Sequence, residues 1–321
     1  FFSTRKLLKF MKEYKPDVVH IHELHAYFIN FLPVIKYLKD NNIKTIWTFH
    51  CEYMYTGNCG HAFDCNNWLH ECGNCPSIRS YPKSLFFDFT KKMFLDKKRA
   101  FEGFHNLTIV TPSKWLAGRV QQSFLKNKRI RIIYNGIDTK VFQPRAVDDL
   151  RKKHNLTTER ILLAVAPNLL SDEKGGKYVL ETASRMTDDN MKFILIGVDE
   201  VGAEYDENVI VLGKILDQVE LSKYYSLADS FLICSKKETF PTVCLESLAC
   251  GTPVYGFDAG GVKETAPDGL GVFVPYGDVE GLVEVIKRND FSEDISSQCE
   301  QYAKEHYSKE AMYQKYKELY F

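Results

Sequence analysis

The sequence has no apolar run long enough to cross a bilayer. Its longest apolar stretches, such as Ile161 to Ala166, are the length of a strand. Neither charge is in surplus: 42 lysines and arginines balance 42 aspartates and glutamates in 321 residues. No global field therefore draws the chain to nucleic acid, and any basic patch has to be local. No internal repeat, low-complexity tract or signal-peptide pattern is visible. No D-x-D pair ends a strand-like run, so a catalytic divalent metal is not expected. Cysteine is scarce outside one stretch, since five of the nine fall between Cys51 and Cys75. What remains is a globular composition, 45% hydrophobic and 13% aromatic, in a chain long enough for two cores and two domains.

The organising stretch runs from Ala228 to Glu264, ADSFLICSKKETFPTVCLESLACGTPVYGFDAGGVKE. Phe231 to Cys234 reads as a strand buried on both faces, and Ser235 to Pro241 as a polar turn. A helix follows, with Pro241 at its first position, Val243, Leu245, Leu248 and Ala249 on its buried side and Gly251 ending it. Pro253 to Phe257 forms a second strand, and Gly260-Gly261 a turn before another short helix. Strand, helix and strand in this order make a parallel α/β unit whose helix N-termini attract anions. Glu238 in the turn and Glu246 in the helix are spaced E-x7-E. Carboxylates do not bind phosphate, so both point to hydroxyl groups of a sugar or ribose.

The pattern E-T-F-P-T-V-C-L-E-S-L-A-C-G-T-P-V, followed by G-G-V-K-E, resembles the signature of family 4 retaining glycosyltransferases. The resemblance implies an α/β fold with two Rossmann-like domains facing one another across a cleft (GT-B). It also implies that the first strand of the N-terminal domain and its Gly-rich loop, which would precede Phe1, are missing. The implied domains are 1–142, holding a Cys-rich insert at 51–76, then 143–305, then a helix at 306–321 crossing back to the first domain. In the family, Glu238 contacts the transferred sugar and Glu246 the ribose hydroxyls. The backbone at Thr242 and Val243 lies by the diphosphate, and Gly260 and Gly261 belong to the same anion-binding edge. Lys174, before Gly175-Gly176, matches the family's diphosphate-binding lysine, whereas Asn168 stands where an arginine is usual. Gly213, Lys214 and Ile215 are placed at the nucleotide base. Thr48-Phe49-His50 matches a T-x-H strand end whose histidine reaches the donor sugar, which makes Glu238, His50 and Lys174 the implied catalytic set. Asn135-Gly136-Ile137-Asp138 resembles the family's turn before the second domain.

Three features of the first half stay open. His20, His22 and His25 cluster at a strand end, which suits either a metal or mutual packing. Cys59, Cys65, Cys72 and Cys75 are spaced C-x5-C-x6-C-x2-C in a loop that reads as too polar to fold on apolar burial. Structural zinc, free thiols and disulfides are the three readings. A similar Cys-rich insert occurs in a polysaccharide-assembling branch of the family. Lys83 to Phe104 reads as a helix with Phe86, Phe89, Met93, Phe101 and Phe104 at helical spacing and Lys91, Lys92, Lys97, Lys98 and Arg99 between them. It is either a core helix with a solvated basic face or a membrane-surface helix.

The expected function is transfer of a sugar from a nucleoside diphosphate of UDP or GDP type to a glycan or lipid-linked acceptor, with retention, in polysaccharide or lipopolysaccharide assembly. The expected setting is the cytoplasm, at the inner face of the membrane if the 83–104 segment docks there. The alternatives are a nucleotide-sugar epimerase or hydrolase, and a non-catalytic metal-binding scaffold.

Overall fold

The computed structural model describes residues 2–24, 28–76, 78–79, 87–187, 189–199, 204–288 and 291–321. The chain divides into two compact units, one of Phe1–Ile133 with Tyr316–Phe321, the other of Tyr134–Lys315. By compactness the division falls between Ile133 and Tyr134, earlier in the chain than the 142/143 boundary implied by the resemblance.

The first unit contains α1 (Phe2–Tyr14), β1 (Val18–His22), α2 (Phe31–Asp40), β2 (Lys44–Thr48), α3 (Thr90–Phe101), β3 (Leu107–Thr111), α4 (Lys114–Gln122) and β4 (Arg129–Ile132). Its four strands are parallel and lie in the order β1-β2-β3-β4. The middle strands carry the core. Trp47, Ile109 and Phe49 are fully buried with Ile35 and Leu38 of α2 and Phe94 and Phe101 of α3, each such side chain contributing about 1.5–3 kcal/mol.

α3 corrects the expected helix in two ways. It begins at Thr90, and Phe89, assigned to the apolar face, is exposed together with Phe87. Lys97, assigned to the basic face, is buried, its Nζ donating to the carbonyls of Tyr53 (2.6 Å), Thr56 (3.0 Å) and Gly57 (3.2 Å). Burial pushes its pKa down to about 7. Residues 83–86, including Phe86, lie outside the described residues.

The second unit contains α5 (Asp148–Lys153), β5 (Arg160–Val165), α6 (Gly176–Ser184), β6 (Met191–Ile196), β7 (Val209–Leu212), α7 (Gln218–Leu227), β8 (Ser230–Ile233), α8 (Thr242–Ala249), β9 (Val254–Asp258), β10 (Gly271–Pro275), α9 (Val279–Arg288), α10 (Ile295–Tyr307) and α11 (Lys309–Tyr320). The last turn of α11 belongs to the first unit. Six parallel strands lie in the order β10-β9-β8-β5-β6-β7. The chain winds outward from β5 to β7, returns to place β8 beside β5, and winds outward again through β9 and β10. The reversal therefore lies between β5 and β8, and in open parallel sheets ligands bind at the carboxyl ends of strands flanking such a point.

Asn135 to Asp138 is built into this unit. Ile137 bridges to Ser308, and Asp138 accepts a hydrogen bond from the Lys309 ammonium at 2.5 Å.

Candidate functional site

At the β5/β8 reversal the second unit holds a cavity of about 180 Å³. Val165, Ala166 and Pro167 line it from the end of β5, and Ile233, Cys234 and Ser235 from the end of β8. Lys174, Glu238, Thr242 and Val243 also line it, together with Leu169, Leu232 and Pro241. Two turns create the close fit. Gly175 has φ +71°, and a Cβ there would lie 1.9 Å from the Cys234 carbonyl oxygen, so only glycine lets the loop before α6 rest on the end of β8. The Lys236 N–H donates to the Glu173 carbonyl at 2.9 Å across the same seam.

This seam brings together two residues far apart in sequence. Lys174 Nζ lies 2.7 Å from Glu238 Oε1, with the two side chains 31% and 18% exposed. The family resemblance implied a diphosphate for one and a sugar for the other, and did not anticipate that they pair. Pairing puts a cation and a hydrogen-bond acceptor at one wall of the cavity.

Pro241 is the residue before α8, not its first helical position, and no side chain caps the helix. The first N–H groups of α8 begin at Thr242, beside the cavity, where an N-terminus favours negative charge. Val243, expected on the buried side, is half-buried and lines the cavity. Cys244, Leu245, Ser247, Leu248 and Ala249 form the buried side instead.

Glu246 stands one turn beyond Thr242 and is not among the residues lining the cavity. Tyr225 donates its hydroxyl to Glu246 Oε2 at 3.0 Å. Burial pushes the Glu246 carboxyl upward against the opposing hydrogen bonds from Tyr225 and Thr242. This partner of Glu246 was not foreseen from the sequence, because no local spacing ties α7 to α8.

The Gly260-Gly261 turn serves Glu238 from below. Glu238 and Gly260 form an isolated parallel bridge, and the Gly261 N–H donates to the Glu238 carbonyl at 2.7 Å. A Cβ on Gly260, at φ +75°, would approach that oxygen to 2.3 Å. The Gly261 amide, expected to stabilise an anion, is thus engaged in holding Glu238, and a single turn of 3-10 helix (Lys263–Thr265) takes the place of the expected short helix.

Asn168 is exposed with φ +54°, a left-handed turn that asparagine tolerates. Gly213, Lys214 and Ile215 follow β7 at the same edge of the sheet, two strands from β5 and so about 10 Å along it. Lys214 lies 3.5 Å from Asp199.

In the first unit, His50 follows β2 and His20 and His22 lie on β1. His22 Nδ1 is 3.0 Å from His50 Nε2. His20 bonds Tyr320 Oη at 2.7 Å and Thr48 Oγ1 at 2.9 Å. Burial, and then repulsion from His22 when charged, pushes His20 and His50 down to about 4, with a smaller contribution from His50 at His20. These partners account for His20 and His22 by hydrogen bonding and packing. His25, the third member of the metal reading, lies outside the described residues.

The Cys-rich insert also differs from expectation. It is not too polar to bury: Tyr53, Met54, Tyr55, Ala62 and Trp68 join the first unit's core, with the Tyr55 and Trp68 rings 5.3 Å apart. Buried Glu52 ties it down, accepting from Tyr55 Oη at 2.9 Å, from the Ala62 N–H at 2.7 Å and from the Arg119 guanidinium. None of Cys59, Cys65, Cys72 and Cys75 is joined in a disulfide. Burial and the neighbouring Cys75, Cys72 and Cys65 push Cys59 up to about 12. Cys72 accepts the Gly57 N–H at 3.1 Å. Among the described residues no group of three or more metal-binding side chains is arranged to hold an ion.

With this geometry in hand, the chain can be set beside known proteins. Residues 1–141 match the model of Glycosyltransferase Family 4, and residues 146–306 match that of Glycosyl transferases group 1. The putative colanic acid biosynthesis glycosyl transferase WcaC of Escherichia coli is 25% identical over 279 residues, an alignment covering 85% of this chain and 67% of that protein. N-acetyl-alpha-D-glucosaminyl L-malate synthase of Bacillus anthracis is 26% identical over 213 residues, covering 61% of this chain and 54% of that protein. Among solved structures, Anabaena HepE in complex with UDP superimposes with a TM-score of 0.69 at 16% identity, covering 98% of this chain and 80% of that one. The α/β fold with two parallel sheets is that of GT-B glycosyltransferases, and the chain belongs to the group 1, family 4 glycosyltransferases.

Proposed function

We propose that this chain moves a hexose-type sugar from a nucleoside diphosphate to an acceptor hydroxyl, with retention, in the assembly of a cell-surface polysaccharide or lipopolysaccharide. The observation that carries the reading is the cavity at the β5/β8 reversal, where Lys174, Glu238 and the start of α8 converge. The bond between the sugar's anomeric carbon and the diphosphate breaks, and a bond to the acceptor oxygen forms on the same face. The acceptor proton passes to the departing phosphate oxygen. The greatest need is stabilisation of the charge that develops on the diphosphate, which Lys174 and the amides at Thr242 and Val243 supply. Glu238 orients the sugar, Glu246 holds ribose hydroxyls, and the edge at Gly213 to Ile215 receives the base. The likeness of Thr48-Phe49-His50 to the family's T-x-H strand end supports assigning His50 to the donor sugar.

The donor is a UDP or GDP sugar. Solved forms of HepE hold UDP and UDP-glucose, and the colanic acid role in the name of WcaC supports a glycan or lipid-linked acceptor. A thermal-shift panel of UDP-, GDP- and ADP-sugars tests the donor. One nucleotide series is expected to raise the melting temperature, by roughly 2.7 kcal/mol of added stability at a hundred times its Kd. No shift with any of them would favour a non-catalytic scaffold, and nucleotide release that ignores added acceptor would favour a hydrolase or epimerase.

Two finer readings concern the surroundings. Among the described residues no helix is long and apolar enough to cross a membrane. Exposed Phe87 and Phe89 precede Lys91, Lys92, Lys98 and Arg99, all exposed on α3, a combination that suits the surface of an anionic bilayer at the cytoplasmic face. Flotation with vesicles containing phosphatidylserine is expected to carry the protein upward at low salt and release it at high salt. Equal recovery in the pellet with and without vesicles would reject this contact. The C-x5-C-x6-C-x2-C spacing offers four thiols to a structural zinc ion. Among the described residues Cys59, Cys65, Cys72 and Cys75 are not arranged to hold one, so they would have to draw together around the metal, which would supply a cross-link but no chemistry.

A further inference from the structure

β1 and β2 pair in parallel as far as His22 opposite Thr48. Beyond that pair the backbone turns at Glu23, whose φ of +36° is a left-handed conformation rare for a residue with a side chain. The carboxylate then takes over from the ladder. Glu23 Oε1 accepts the backbone N–H of His50 and, at 3.0 Å, that of Cys51, while Oε2 accepts the Cys51 thiol at 3.5 Å. One side chain thereby fixes the two successive peptides from which the His50 ring projects.

The ring itself is fixed from the other side. His22 and His50 lie nearly parallel, 19° apart, with centroids at 5.3 Å, and share the bond between Nδ1 and Nε2. His22 packs on His20 at 4.2 Å. His20 is anchored by Tyr320 and Thr48, and Thr48 bonds Tyr316 Oη at 2.9 Å. Resting on the reading that His50 meets the donor sugar, we propose that Glu23 and His22 are positioning residues for His50, Glu23 setting its backbone and His22 its ring orientation and tautomer.

The tautomer follows from hydrogen-bond arithmetic. A bond between two ring nitrogens needs one N–H and one lone pair, and in a neutral imidazole the two nitrogens have opposite roles. If His22 Nδ1 donates, His50 Nε2 accepts and His50 Nδ1 carries the proton. If His22 Nδ1 accepts, the assignment inverts. Either way His22 decides what His50 presents with its free nitrogen. Burial keeps both rings neutral near pH 7, and the titratable groups facing His50 are His22 and Glu23, with Cys51 beside it and the Tyr316 hydroxyl beyond His22.

The test uses the full chain carrying His22→Ala, His22→Asn, Glu23→Ala, Glu23→Gln or His50→Ala. Imidazole nitrogen shifts of histidine-labelled protein are expected to show one His50 tautomer in the parent and a mixture in His22→Ala. The His50 pKa should move up from about 4 when the His22 charge is gone. Nucleotide release from the donor that shifts the melting temperature should fall about tenfold in kcat for His22→Ala and Glu23→Ala, with KM changed less. Glu23→Gln, which still offers an acceptor oxygen to both amides, should recover most of the loss. If an alanine variant does not fold, His22→Asn and Glu23→Gln carry the comparison. An unchanged tautomer in both His22 variants, or parental kcat in the Glu23 variants while His50→Ala is inactive, overturns the proposal alone. Parental turnover in His50→Ala overturns it together with the role of His50.

Discussion

Lys174→Ala is expected to lower turnover about a hundredfold or more, the scale of removing one preorganised charge-stabilising group from a transition state. It should also weaken nucleotide binding, seen as a smaller thermal shift with UDP or GDP. Glu238→Ala should cost a similar factor in turnover, but with the opposite effect on the nucleotide. The two side chains form an ion pair at 2.7 Å, so removing the carboxylate leaves the ammonium free for phosphate oxygens, and the thermal shift should hold or grow. The contrast matters because it separates two roles that a loss of activity alone would merge. Near-parental turnover in either variant would remove the catalytic assignment. A parallel loss of nucleotide binding in Glu238→Ala would mean that the pair acts as a structural brace.

The second large effect concerns the insert. Protein purified without chelator is expected to carry about one equivalent of zinc, and stripping the metal should lower the melting temperature by about 5 °C or more, because an ion bound only by the native state adds its binding free energy to stability. The physical case lies in the thiols. Cys59 is within the field of Cys65, Cys72 and Cys75, and that crowding, added to burial, opposes ionisation unless a cation is shared. The Gly57 N–H on Cys72 and the buried Lys97 ammonium nearby both favour negative sulfur. Against it stands the apolar anchoring by Tyr55 and Trp68, which lets the loop fold without metal. Replacing Cys59 and Cys75 together by serine should abolish zinc binding. Absence of metal, with every thiol titratable in the unfolded protein, would leave the insert as a loop held by Glu52, Arg119 and these aromatic rings.

Several elements are legible in the sequence. The strands at Ile161, Phe231 and Pro253 announce themselves as short apolar runs, and the observed limits differ from expectation by one residue at each end. α10 was overlooked: Ile295 to Tyr307 buries Cys299, Ala303 and Tyr307, a small and mostly polar set that gives little apolar periodicity. α3 was misread because the residue it buries at Lys97 is a lysine, and only the carbonyls of Tyr53, Thr56 and Gly57 make that burial tolerable.

By itself the sequence determined the parallel α/β alternation, the family, and the residue types of the site, since these rest on local periodicity and on motifs written within a few dozen residues. Tertiary structure alone decided which of those residues touch. It paired Lys174 with Glu238, set Tyr225 on Glu246, stacked His22 against His50 and engaged Gly261 beneath Glu238. Each contact joins the ends of different strands or helices, and the packing that brings those ends within 3 Å of one another is a property of the folded sheet that no linear spacing encodes.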